Sequence, residues 1–259
     1  SLQGSPDRLK SEGRLLLEKR PLISLTGNLN HWRWRLEPVA AADLTRITGA
    51  GHIPQALLSL SGIEGGGELS LPADGGVSGL FDLKAASFAS SGLEAEALFA
   101  GGEFRHKPAA TQFRDLRFAG RLRSPEFGSG RLSGMVDIDL DPKQTRVRLT
   151  SLEANAVELL SADGLSGLSG GKVGIRGEIR HQQGERAVDL DLDGNLTVGE
   201  VLHGTFYANL SAHQAHLKLA GRADWAAPSL VAKELSLRIP ELARVQLAGL
   251  VRPDLQELS

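Results

Sequence analysis

The chain has 259 residues, room for one large β domain or two smaller ones, and 41% of them are apolar. Its 29 basic and 31 acidic residues are interspersed and leave a net charge of −2, so no basic stripe neutralises phosphates at scale and nucleic-acid binding is disfavoured. The absence of cysteine removes disulfides, thiolate zinc sites and thiol nucleophiles together.

Aromatic residues are only 5% of the chain and glycine contributes 31 positions, which leaves aliphatic side chains to do most of the filling. Met135 is the single methionine and the first residue is Ser1, which suggests a fragment whose signal, anchor or membrane helix lies outside it. Residues 1–20 are polar and charged and read as a lead-in, and residues 21–259 read as a single elongated β domain of a larger repeat-like protein. Leu22–Trp34 is extended in pattern, with Trp32 and Trp34 on one face and Arg33 and Arg35 on the other. Pro38–Thr48 predicts a helix: proline opens it, alanines carry it, and Gly49 and Gly51 stop it.

From residue 57 short alternating segments dominate, at 57–61, 67–72, 77–85, 93–99, 111–119, 131–140, 145–150, 172–181, 187–198, 201–212, 214–223, 233–239 and 244–251. Gly65–Gly67, Asp74-Gly75-Gly76, Asp141-Pro142, Asp163-Gly164 and Gly170-Gly171 fall at the breaks and read as turns. The spacing predicts a meander of antiparallel neighbours, with a second short helix at Leu152–Leu160. No apolar run reaches transmembrane length. Alternation is cleanest at 172–181 and 187–198, where Val173, Ile175 and Ile179 share one strand face, as do Val188, Leu190 and Leu192. These six are the candidate lining of an apolar surface. A sheet of so many strands must curl, split or close to hide such a face.

The chemistry-bearing residues lead elsewhere less well. His213 and His216, with His203 upstream, have helical chelate spacing, but on a strand positions three apart point to opposite faces and surface histidines are expected. Asp189, Asp191 and Asp193 stand on one strand face; three carboxylates suit calcium, yet a solvated outer face is the expectation. Gly128-Ser129-Gly130 lacks the strand-turn-helix frame of a nucleophile elbow, and Gly65–Gly67 lacks the Lys-Ser/Thr of a phosphate loop. Trp32 and Trp34 read as core or lining, and Phe81, Phe88, Phe99, Phe104, Phe113 and Phe118 read as scattered.

Asn155–Ile179 joins a paired Leu159-Leu160 to Gly-Leu-Ser-Gly, then Gly-Gly, then a glycine-bearing alternating strand. That unit resembles the recurring one of the AsmA-like bacterial envelope proteins, the group that includes TamB, YhdP and YdbH. Val39–Leu60 is similar to a weaker copy, and Gly62–Leu83 looks like the glycine-turned strands of the YdbH-like branch. The resemblance implies a curled β-sheet, often called a β-taco, in a protein anchored in the inner membrane and extending across the periplasm. Its apolar groove would conduct phospholipids toward the outer membrane.

The expected fold is therefore all-β, an elongated curled antiparallel sheet with one or two short helices. The expected function is noncatalytic, needing no cofactor: the groove shields acyl chains of phospholipid or another acyl lipid. Inner-membrane attachment would come through a segment outside this chain, with an outer-membrane protein as a possible partner. A structural β module with a dry, closed core is the alternative. An enzyme would need two carboxylates converging from different strands over a cleft.

Overall fold

The computed structural model describes residues 11–17, 20–43, 59–72, 75–90, 93–124, 128–160, 166–197, 199–203, 205–209, 214–224, 229–240 and 243–251. The protein is all-β and every strand pairing described is antiparallel. The strands fall into two compact units, Ser1–Pro125 and Glu126–Ser259.

The first unit holds β1 (Ser11–Leu17), β2 (Arg20–Gly27), β3 (His31–Val39), β4 (Ile63–Ser70), β5 (Val77–Ser90), β6 (Leu93–Lys107) and β7 (Ala110–Ser124). Each strand pairs with the next in sequence, a plain meander. Among the described residues of this unit no pairing joins β1 to β7, so the sheet is open. The lead-in expected through residue 20 contains strand β1. The extended stretch Leu22–Trp34 is two strands, reversed at a turn where the Asn28 carboxamide oxygen accepts the backbone N–H groups of Asn30 and His31.

The helix expected from Pro38 starts later. Pro38 and Val39 end β3, where the pairing with β4 slips between Leu36 and Val39 and proline's missing N–H is tolerated. A helical turn follows at Ala41–Asp43, and residues 44–48 lie outside the described residues. Gly65–Gly67 is not a turn but the middle of β4. A Cβ at Gly65 would strike the Asp82 carbonyl, and one at Gly67 the Leu80 carbonyl, so glycine there permits close strand approach instead of chain reversal.

The second unit holds β8 (Gly128–Leu140), β9 (Gln144–Leu160), β10 (Ser166–Ser169), β11 (Lys172–Gln182), β12 (Ala187–Thr197), β13 (Glu200–His203), β14 (Phe206–Asn209), β15 (Gln214–Asp224), β16 (Ser229–Ile239) and β17 (Ala243–Val251). Several of these are pieces of longer lines. Against β9, the pairs Leu168↔Leu159, Ser169↔Glu158 and Lys172↔Asn155 keep one register, so β10 and β11 form one strand interrupted at Gly170-Gly171. Ser169↔Glu200 and Lys172↔Thr197 likewise align β13 with β12. With β14 and β15 as a third broken line, this unit is also a seven-line antiparallel meander, from β8 to β17.

Two expectations fail here. Leu152–Leu160, read as helix, is the second half of the 17-residue strand β9, hydrogen-bonded to β8 on one side and to β10 and β11 on the other. A β-bulge at Thr150-Ser151, opposite Met135 and Arg176, shifts the two-residue period and disguises the strand. The segment 201–212, read as one strand, is a hairpin of β13 and β14, and residues 210–213 lie outside the described residues.

The interior is thin. Among the described residues no large side chain is fully buried, and the buried apolar set is small: Leu22, Leu36 and Val39, which pack together, with Ala41, Ala85 and Ala95 in the first unit, and Val136, Ala187, Ala215 and Ala232 in the second. Backbone pairing therefore carries much of the fold. At Gly177 in β11, φ is +146° and a Cβ would meet the Asp191 carbonyl and lie 2.8 Å from Leu192 Cα. At Gly174, on the same strand, a Cβ meets nothing within 4 Å. Gly177→Ala is expected to cost about 2–3 kcal/mol, and Gly174→Ala to change stability by under about 1 kcal/mol in the stabilising direction, read from urea midpoints.

Candidate functional site

In antiparallel pairs, directly opposed residues project to the same face. Tracing the register across the second unit gives unbroken apolar rungs. One runs Leu132, Ala154, Val173, Leu196, Ala215, and the next runs Leu152, Ile175, Gly194, Leu217, Leu237, Val245. A third runs Val136, Leu149, Gly177, Leu192, Leu219, Leu235, Leu247, and a fourth Ile138, Val147, Ile179, Leu190, Gly221, Ala232, Gly249. Val188 lies in the next, between His181 and Ala223. All six residues singled out from the sequence, Val173, Ile175, Ile179, Val188, Leu190 and Leu192, thus stand on one face.

Bulges keep that face whole. The extra residue at Thr150-Ser151 lets both Leu149 and Leu152 stay on it. Lys233-Glu234 does the same for Ala232 and Leu235 in β16, where the pairing slips between Ala220 and Gly221. The sequence signal for the additional lining residues was present in each strand, but the phase relation between strands was not.

Each of the six is half-buried. On the last strand Val245 is 48% exposed and Leu247 54%, so the described residues do not close a dry core over this face.

The opposite face is charged and self-paired. Asp193 lies 3.1 Å from Arg176, Lys218 lies 2.7 Å from Glu234, and Arg222 reaches Glu185 at 2.7 Å. Arg180 donates to Glu178 at 2.6 Å, and Arg146 Nε stands 2.8 Å from the same oxygen. The hydrogen bond from Arg180, opposed by burial and helped by the charges of Arg180, Arg146 and Arg148, holds the Glu178 carboxyl below its ordinary value.

Asp189, Asp191, Asp193, Gly194 and Glu200 have the spacing of a calcium-binding loop. Such a loop wraps its ion, whereas here residues 187–197 are an extended strand. Asp193 sits across from Arg176 and Lys218, and Asp189 from Arg180 and Arg222. His216 is exposed in β15, and His213 lies outside the described residues. Gly128-Ser129-Gly130 opens strand β8.

The first unit repeats the two-faced plan with aromatic groups. Leu25, Trp34, Gly67, Phe81 and Gly102 form one rung, and Trp32, Leu69, Gly79, Phe104 and Phe113 the next. Phe81, Phe104 and Phe113 are clustered, not scattered: Phe81 has its ring centroid 6.3 Å from each of the other two, tilted at 57° to Phe104 and edge-on at 86° to Phe113. Trp34 lies over Gly67, where a Cβ would come within 2.9 Å of the indole nitrogen, and that nitrogen is buried without a hydrogen-bond partner. The recesses of this unit are different in kind. One of about 580 Å³ is bordered by Ser11, Glu12, Trp32, Arg33 and Glu68, and another of about 470 Å³ by Arg35, Glu37, Glu64, Asp82 and Lys84.

No family model, curated protein or solved structure matches the chain. No helix among the described residues is long and apolar enough to cross a membrane.

Because the Glu178 carboxyl is held below its ordinary value in the folded protein, its contribution is complete above the carboxylate range and is lost as pH falls through its lowered folded value. Glu178→Gln is expected to be less stable than the parent at neutral pH, with the two urea midpoints converging in acid; a constant gap at all pH values would contradict the assignment.

Proposed function

We propose that this chain is a noncatalytic lipid-handling segment whose apolar sheet face shields phospholipid acyl chains. The observation that carries the reading is the run of apolar rungs across the second unit, continuous from strand to strand and only half-buried. An acyl chain needs a continuous apolar track, and each methylene covered contributes about 0.8 kcal/mol. An open sheet margin lets the polar headgroup stay in water while the tail is sheltered. The charged, self-paired opposite face suits an aqueous surrounding and discourages insertion into a bilayer.

The resemblance of Asn155–Ile179 to the AsmA-like unit extends the proposal. In that setting the segment works in the periplasm, between inner and outer membranes, within a protein held at the inner membrane by a segment outside this chain. An outer-membrane protein would receive the lipid.

Native mass spectrometry of the purified chain is expected to find copurifying phospholipid. Leu192→Arg, which puts a charge in the middle of the apolar face, is expected to reduce lipid occupancy by about ten-fold or more with the β circular dichroism spectrum retained. Equal occupancy in the variant, or a lipid-free parent whose apolar face excludes a hydrophobic dye, would leave the dry structural module as the better reading.

A further inference from the structure

At one end of the first unit three hairpin connections lie side by side. The register His31↔Ser70↔Ser78↔Arg105↔Gln112 sets the β2–β3 turn, the β4–β5 connection and the β6–β7 turn at the same level. The Leu71 N–H donates to the Asn30 carbonyl at 2.9 Å, tying the first two together.

The side chains shown to water there are unusual for turns. Leu29 is the apex of the β2–β3 turn and is 59% exposed. It is held there by design of the backbone: the Asn28 carboxamide accepts from Asn30 N at 3.1 Å and His31 N at 2.8 Å, and Asn28 N donates to the His31 carbonyl at 2.8 Å. An Asx turn of this kind ordinarily carries polar residues or glycine at its centre. Leu71, on the neighbouring connection, is 41% exposed, and Pro72 beside it is exposed as well.

The flank is basic. Arg105, on the rung of His31 and Ser70, and Lys107, in the last pair before the β6–β7 turn, are exposed, as are His31 and His106. The described residues of these three connections and their flanking rung include no carboxylate, and Asp74, outside them, is the single acid the sequence places there. The next rung inward, Trp32, Leu69, Gly79, Phe104 and Phe113, carries no charge, and in the one after it Arg33 pairs with Glu68 at 3.1 Å.

We infer that this end of the first unit is a membrane-contacting edge, with Leu29 and Leu71 entering the interface of an anionic phospholipid bilayer and Arg105 and Lys107 lying against its headgroups. Exposed apolar groups with a basic flank are the combination that binds such surfaces, by apolar burial plus attraction to anionic lipid. A rigid turn presents the leucines already ordered, so little conformational entropy is lost on contact. The inference goes beyond the sheltered-lipid reading and does not require it.

The test is flotation of the full chain with vesicles of phosphatidylcholine and phosphatidylglycerol in equal parts, at low ionic strength. Binding is expected to be weak to phosphatidylcholine alone and to fall as salt is raised. The double variant Leu29→Ser, Leu71→Ser is expected to bind about ten-fold less, and Arg105→Gln with Lys107→Gln to lose the preference for phosphatidylglycerol. Val231→Thr, which exchanges a methyl for a hydroxyl on a side chain 51% exposed on β16, should bind as the parent does. Leu29→Asn supplies an ordinary turn residue and serves if the double variant is unstable. Leu192→Arg should still float while losing sheltered lipid, which separates this inference from the previous one. Undiminished flotation of the leucine variants overturns it, as does loss of self-association in sedimentation with flotation unchanged, which would assign the leucines to a second copy of the chain.

Discussion

Antiparallel pairing puts opposed residues on the same face, so a strand that slipped by one position would turn its whole apolar set toward water. Keeping the two-residue alternation in phase from each strand to the next is the condition on which both faces of this protein rest. Bulges restore the phase wherever the sequence inserts a residue. Thr150-Ser151 serves β9, and Lys233-Glu234 serves β16. In the first unit the β6–β7 pairing slips twice, near Ala97 and near Asp115, the two non-glycine residues with positive φ among the described residues, at 50° and 48°. That strain is tolerated because it returns Leu98 and Phe113 to the apolar side.

A sheet built this way has little volume to bury. Its large aliphatic side chains are half-covered by their cross-strand neighbours and not by a second layer, within each unit taken alone. Stability then depends on the ladder of backbone hydrogen bonds and on how closely strands approach, which explains why glycine matters in mid-strand. Gly65, Gly67 and Gly79 each bring a neighbouring carbonyl where a Cβ would sit. Gly67 also makes room for the Trp34 indole, and Gly79 for the Phe104 ring. Charges complete the arrangement on the wet side, where each exposed pair contributes little but alternating signs oppose register slippage.

The functional readings follow from the same division. A face that is apolar along its length but not closed over offers contact without a pocket, which suits a flexible chain molecule better than a compact substrate. Side-chain chemistry on the other face is spent on cross-strand pairing. Aspartates with the spacing of a calcium loop are held straight by β12, and two of them, Asp189 and Asp193, are matched by arginine or lysine on both sides. The hairpin ends of the first unit stand apart, because there the backbone displays leucine where turn chemistry alone would favour a polar residue.

Much of the fold was legible in local pattern. The alternation of 172–181 and 187–198 determined strands β11 and β12, and the six aliphatic residues on them share a face because a two-residue period is a property of any strand. The sequence also determined that Trp32 and Trp34 stand together. What it left open were features decided by partners distant in the chain. Leu152–Leu160 is a strand because β8 and β11 flank it, and its own pattern is broken by the bulge those neighbours accommodate. Gly65–Gly67 is strand interior because β3 and β5 close in on it. Phe81, Phe104 and Phe113 meet only through register. Periodicity assigns a side chain to one face of its own strand; which strands are neighbours, and in what phase, is set by long-range hydrogen bonding, and so the joining of separate apolar stripes into one surface was decided by the tertiary structure alone.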